Sequence, residues 1–276
     1  VTAGLDGFQY ALRIQRDSGN TGTGVIYVNQ SFETSAMVKL ANKTVTLSFY
    51  ARAGANYSSS GLLLGARVVA GSGTEANIVY TGVTGSTEPI ITTATLTTSW
   101  QRFTATGLIP SGTNGGGVYF FFAPTGTAGA NDYVDITGVQ LETSLGASSF
   151  EQRPIGTEFA LCQRYYETSY NGVVKGTNTA VGIVYASSST DAYQSYVLPS
   201  PLWLIPKRAT PTVTVYSQAG TINKWNYSRS GVSDAEVTVS SNGAYSSPRS
   251  ALLYLNTGLA FVSATGYGHF IADAEL

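Results

Sequence analysis

Charge is scarce in this chain. Its 276 residues carry 15 Lys and Arg against 16 Asp and Glu, 11% in all, for a formal net charge of −1. A typical soluble domain is ~25% charged. The even balance leaves no basic footprint for nucleic acid. A single cysteine, Cys162, excludes an intramolecular disulfide and any cysteine-built zinc site. A single histidine, His269, excludes histidine-rich metal clusters, and any Ser-His-Asp or Cys-His set would have to use it. No G-x-S-x-G elbow stands near it, and no local pattern marks a catalytic carboxylate pair. His269 therefore reads as a surface or interface side chain. No run of ~18 apolar residues is present, which excludes a helical membrane span. The expectation is a protein that binds or builds and does not catalyse.

What is present points to folded β structure. Hydrophobic residues make up 43% and aromatic residues 12%, with 18 Tyr and 31 Gly. Low hydrophobicity with high net charge, the mark of disorder, is missing. The length suits one large or two ordinary domains and is ample for a core. Val1 is not an initiator methionine and no signal-peptide pattern follows it, so a trimmed or partial chain is expected. Thr44–Tyr50 (TVTLSFY) gives the cleanest period-two alternation, with Val45, Leu47 and Phe49 on one face. Leu62–Val69, Trp100–Thr106 and Tyr133–Leu141 read as strands too, the last with a bulge or bend at Gly138. Val118–Phe122 (VYFFF) is apolar enough for a buried central strand. Ser18–Gly24 reads as a flexible stretch, and Gly112–Gly117, without a lysine, as a turn. The strand pattern resumes after residue 166.

One helix interrupts it. Phe150–Tyr166 (FEQRPIGTEFALCQRYY) offers Thr157 as N-cap and Glu158 in the first turn. Phe159, Cys162 and Tyr166 recur at helical spacing, which makes Cys162 a buried, inert thiol. The fold class read from this pattern is all-β: two β-sandwich, jelly-roll-like domains joined by a short helical linker. The boundaries are 1–150, 151–166 for the linker and 167–276.

Three segments of the first half carry a resemblance. KTVTLSFYARAG (Lys43–Gly54), SWQRFTATGLIP (Ser99–Pro110) and YVDITGVQLE (Tyr133–Glu142) resemble the carbohydrate-binding-module-like jelly rolls of bacteriophage tail fibres. SSFEQRPIGTEFALCQRYYE (Ser148–Glu167) is similar to a linker of phage structural proteins, and GYGHFIADAEL to a phage-fibre C-terminus. The resemblance implies an extracellular virion appendage, a homotrimer in contact with other virion structural proteins, that recognises host cell-surface polysaccharide without cleaving it. Two alternatives stay open: a capsid decoration or head-fibre protein, and a non-catalytic sugar-binding module of a secreted glycoside hydrolase. Low charge, no disulfide and the apolar PLWLIP (Pro201–Pro206) also favour a trimer over a monomer.

Sugar rings stack on exposed aromatics flanked by amides and charged donors. Trp225 and Tyr227 in GTINKWNYSRSG fit that description, since alternate residues of an extended segment share a face. Asn223, Lys224, Asn226 and Arg229 surround them. The competing reading packs both rings on their own sheet or on a neighbouring subunit. Tyr57 and Tyr80 are loop aromatics of the same kind, and Trp100 reads as a core residue. No organic cofactor is expected. The resemblance implies a candidate structural Ca²⁺ held by Asp135 of the last strand, with Asp6 supplying an N-terminal oxygen. Ile136 stands where a second acid is usual, and the competing role for Asp135 is a hydrogen-bonded strand-end carboxylate.

Overall fold

The computed structural model describes residues 1–73, 75, 77–79, 82–170, 172–188, 195–197, 203–229, 232–240, 247–250, 254–256 and 264–275. They divide into two compact units, Val1–Gln152 and Arg153–Glu275.

In the first unit the period-two pattern becomes two antiparallel four-stranded sheets. One runs β3 (Leu12–Gln15), β10 (Tyr133–Glu142), β5 (Thr44–Ala53), β8 (Gln101–Leu108). The other runs β4 (Ile26–Ser31), β9 (Gly115–Phe122), β6 (Leu63–Ser72), β7 (Thr84–Thr95). Val45, Leu47 and Phe49 of β5 are fully buried, as their alternation requires. They share one core with Leu64, Val68, Phe120 and Val134 from both sheets. Burying each such side chain stabilises the sandwich by about 1.5–3 kcal/mol. Gly138, at φ +58, sits where the β10–β5 register shifts, between Thr137 and Gln140. A Cβ there would lie 2.8 Å from the Phe8 ring. A separate hairpin, β1 (Thr2–Leu5) with β2 (Phe8–Tyr10), supplies that ring.

A helix absent from the sequence reading, α1 (Thr34–Leu40), follows β4. It is seven residues long and buries Met37 alone, too short for a helical period to register. Ser18–Gly24 is not a loose stretch. The Arg16 guanidinium binds the carbonyls of Asn20 and Gly22 at 2.9 and 2.7 Å, and Asp132 at 2.8 Å.

The second unit opens with α2 (Ile155–Gln163), at which Pro154 rather than Thr157 occupies the N-cap. Proline at φ −54 needs no N–H partner at a helix start, and the helix begins three residues earlier than a Thr157 cap would allow. The helix buries Gln163, while Ile155 and Phe159 are exposed. Cys162 is exposed too, contrary to the buried thiol expected from spacing.

The unit's strands are β11 (Tyr166–Thr168), β12 (Val184–Ser188), β13 (Ser195–Val197), β14 (Thr212–Tyr216), β15 (Lys224–Arg229), β16 (Val232–Ser240), β17 (Tyr254–Asn256) and β18 (Ala264–Asp273). They join in one antiparallel sheet with β18 as its spine. Its first half pairs with β12 and β15, its second with β11 and β14. The fold is all-β apart from its short helices.

His269 of β18 is fully buried, not on the surface. Its Nε2 lies 3.1 Å from the Thr179 carbonyl, its Nδ1 3.3 Å from Ser169 Oγ, and its ring stacks on Tyr170 at 4.1 Å. A carbonyl only accepts, so Nε2 carries the proton and the Ser169 hydroxyl donates to Nδ1. The ring is a structural part of the second unit.

Candidate ligand-binding face

The segment Val118–Phe122 alternates. Val118, Phe120 and Phe122 enter the core, which leaves Tyr119 and Phe121 on the outer face of the sheet. Register aligns two rows across the four strands of that sheet. Tyr27, Phe121, Gly65 and Thr93 form one row, and Asn29, Tyr119, Arg67 and Ile91 the other. Tyr27, Tyr119 and Phe121 meet as a triangle, with ring centroids 6.0, 5.9 and 5.7 Å apart. Tyr27 is 49% exposed, and Tyr119 and Phe121 are half-buried.

Glycine makes this surface flat. A Cβ on Gly65 would stand 2.2 Å from the Phe121 ring, so only glycine lets that ring lie down across β6. The Arg67 guanidinium lies 5.0 Å from the centroid of the same ring. Its Nη1 donates to the Thr92 carbonyl at 2.6 Å, and its Nε is 3.7 Å from Glu88. The Tyr119 hydroxyl donates to Glu88 at 2.5 Å. Three rings with an arginine, a carboxylate and the Asn29 amide thus share one open surface.

Burial, then the bond to Glu88 and its charge, push the Tyr119 phenol up to about 12 from 10.0. The folded state therefore favours the neutral phenol. The stability this contributes is whole below pH 10 and lost as pH rises to about 12. The alkaline fall in melting temperature is expected to be shallower in Tyr119→Phe than in the wild type. An equal fall in both would show that Tyr119 does not titrate this way.

The residues singled out from sequence lie elsewhere. Trp225 is fully buried and Tyr227 is 7% exposed. They do share a face of β15, but it is the inward one: the Trp225 ring lies over Gly268, where a Cβ would come within 2.9 Å. No ring face is left for a sugar. Asn223 is a turn residue at φ +57, and Asn226 Oδ1 accepts from the Gln218 N–H at 2.7 Å. Lys224 bonds Thr238, and Arg229 is paired through its main chain with Val232 and Ala264. Tyr57 is not a loop platform either: it is 5% exposed, packs on Phe122 and donates to the Leu63 carbonyl at 2.9 Å. Tyr80 lies outside the described residues. Trp100 is half-buried, and its Nε1 donates to the Ala3 carbonyl at 2.9 Å.

Asp135 does not suit calcium. Both carboxylate oxygens are held by arginine, Oδ1 by Arg13 at 2.7 Å and Oδ2 by Arg52 at 2.9 Å. Burial pushes its pKa up, but the two arginine bonds outweigh that and hold it below the usual carboxylate value. A cation there would have to displace two guanidinium groups, and calcium would still want six to eight oxygens. Asp6 is exposed in the β1–β2 turn. Among the described residues no three His, Cys, Asp or Glu come together as a metal site.

No family model and no curated protein matches the chain. Among solved structures, one described as "CBM4 structure and function" aligns at a TM-score of 0.34 and 21% identity, over 51% of this chain and 73% of that one. A "Family 16 Carbohydrate Binding Module-2" aligns at 0.32 and 13%, over 51% and 82%. The PBSX exported protein XepA aligns at 0.24 and 8%, over 95% and 86%. Overlaps this loose carry no weight in the functional reading, which rests on the geometry of the aromatic face.

Proposed function

We propose that the first unit is a non-catalytic glycan-binding module, and that the sugar lies on the outer face of the β4-β9-β6-β7 sheet. One observation carries this: the three-ring surface of Tyr27, Tyr119 and Phe121, flattened by Gly65 and rimmed by Arg67, Glu88 and Asn29. Such a surface offers C–H stacking at its centre and hydroxyl partners at its rim. The first unit contains no histidine, and the chain's single one, His269, is buried in the second unit with both nitrogens engaged, which supports the non-catalytic half of the reading. A place on a bacteriophage tail fibre, assembly as a homotrimer and a host polysaccharide as receptor belong to the same proposal, supported by the sequence resemblance.

The test is the isolated protein on a polysaccharide array. Tyr27→Ala is expected to weaken binding at least about tenfold, since truncating a central aromatic contact typically costs over 1.4 kcal/mol. Its melting temperature should hold, because Tyr27 is half exposed. Wild-type retention by no glycan, or equal retention of the variant, would overturn the proposal.

A further inference from the structure

A second feature of the first unit lies on the opposite side of β4 from the aromatic rings. A cavity of about 470 Å³ opens between the two sheets along the flank formed by their edge strands β3 and β4. Ile136, Val139 and Leu141 of β10 form one wall, and Val28 and Phe32 the other. Gln30 supplies its polar side chain, and among the described residues no charged residue borders it. It exists because β3 is short. That strand pairs with β10 over Tyr133–Ile136 and no further, whereas β10 runs on to Glu142.

Shape and lining select the occupant. The walls span four to five strand residues, roughly 13–17 Å at ~3.3 Å each. With a volume of about 470 Å³ that gives a cross-section of about 30 Å², the width of one chain. An uncharged apolar lining suits hydrocarbon and not a sugar. An extended peptide would need main-chain partners along β10. The register shift between Thr137 and Gln140, with Gly138 at φ +58, breaks the ladder where the slot opens, and such bulges blunt an edge against strand addition. A hydrocarbon needs no ladder. We infer that this slot binds a linear alkyl or acyl chain of about a dozen carbons, at roughly 1.3 Å of length per carbon.

Calorimetry with the whole chain tests this, using dodecanoate and dodecanoyl lysophosphatidylcholine, each below its micelle concentration. One-to-one, saturable binding is expected. Binding of both probes shows that the chain itself is recognised; binding of one alone identifies the source as a free fatty acid or a phospholipid tail. Across shorter homologues the affinity should rise about fourfold per methylene and then level off near twelve carbons. Val139→Trp and Leu12→Trp, at exposed positions on the slot's rim, should each weaken binding at least tenfold with an unchanged melting temperature. Absence of saturable binding to either probe would overturn the inference. So would affinity that keeps rising past sixteen carbons, or folded variants that bind as the wild type does. None of these outcomes bears on the aromatic face, because Tyr27 projects from the other side of its strand.

Discussion

Trp225→Ala is expected to destabilise the second unit strongly. The side chain is fully buried and lies against Gly268 of the spine strand β18, to which β15 is paired. Replacing a buried tryptophan with alanine typically costs 3–5 kcal/mol, through lost transfer energy and the cavity left behind. Domains are stable by about 5–15 kcal/mol, so this loss removes from about a fifth to all of the total. The Trp225 Nε1 has no hydrogen-bond partner among the described residues, so truncation orphans no acceptor and the loss is one of packing. Urea unfolding followed by circular dichroism should show an earlier transition for the second unit, with the first unit's transition unmoved. Glycan retention should be that of the wild type. A folded variant with weakened retention would instead make Trp225 a ligand contact and contradict its burial.

The contrast between Trp225 and Tyr27 shows what a single sequence can and cannot convey. Alternation is local, and it correctly marks Val45, Leu47 and Phe49 as one face and Trp225 with Tyr227 as another. Which of two faces meets the core depends on the partner sheet, which lies far away along the chain. Polar neighbours then mislead: Asn223, Lys224 and Asn226 surround Trp225 in sequence but are spent on a turn, a cross-strand bond to Thr238 and the Gln218 N–H. Tyr57 misleads in the same way, since its setting GANYSSSG looks like a loop while its ring fills a gap beside Phe122. The aromatic face was harder still. Tyr27, Tyr119 and Phe121 come together through the pairing of β4 with β9, and the decisive residue is a glycine on a third strand. VYFFF reads as uniformly apolar and hence buried, although its strand is central and its second and fourth residues face outward. Alternate outward aromatics beside a strand glycine were the signal available.

Helix and singleton residues failed for a related reason. Spacing put Cys162 with Phe159 on an apolar face, but the helix turns Gln163 inward and leaves both exposed. A helical period states that a face exists; it does not state what covers it. The rarity of His269 says nothing of its environment, which is set by Ser169 and Thr179, about a hundred residues upstream. The candidate calcium pair failed on charge. Asp135 was legible as a strand-end carboxylate, but its partners Arg13 and Arg52 lie on β3 and β5, and only pairing on both edges of β10 brings them to it.

Arg16→Met is expected to destabilise the first unit strongly. The side chain is almost wholly buried and faces an equally buried carboxylate, with Nη1 2.8 Å from Asp132 and 3.0 Å from Ser58 Oγ. Its Nη2 donates among three carbonyls, those of Asn20, Gly22 and Gly126, at 2.9, 2.7 and 3.2 Å. One guanidinium thus neutralises a buried charge and closes two loops at the end of the sandwich. Methionine keeps most of the volume and supplies no donor. Asp132 would be left buried with only the Ser58 N–H on its Oδ1, and three carbonyls would lose their partner. Removing one member of a buried ion pair typically costs 3–5 kcal/mol, chiefly through the stranded charge. The double variant Arg16→Met with Asp132→Asn discriminates between causes. Asparagine keeps an oxygen for the Ser58 N–H and removes the charge, so the pair should cost less than Arg16→Met alone. Urea midpoints of the first unit measure both. A loss below about 1 kcal/mol in the single variant would show that neither the ion pair nor the loop carbonyls depend strongly on Arg16, and a double variant worse than the single would show that the loss does not come from the stranded charge.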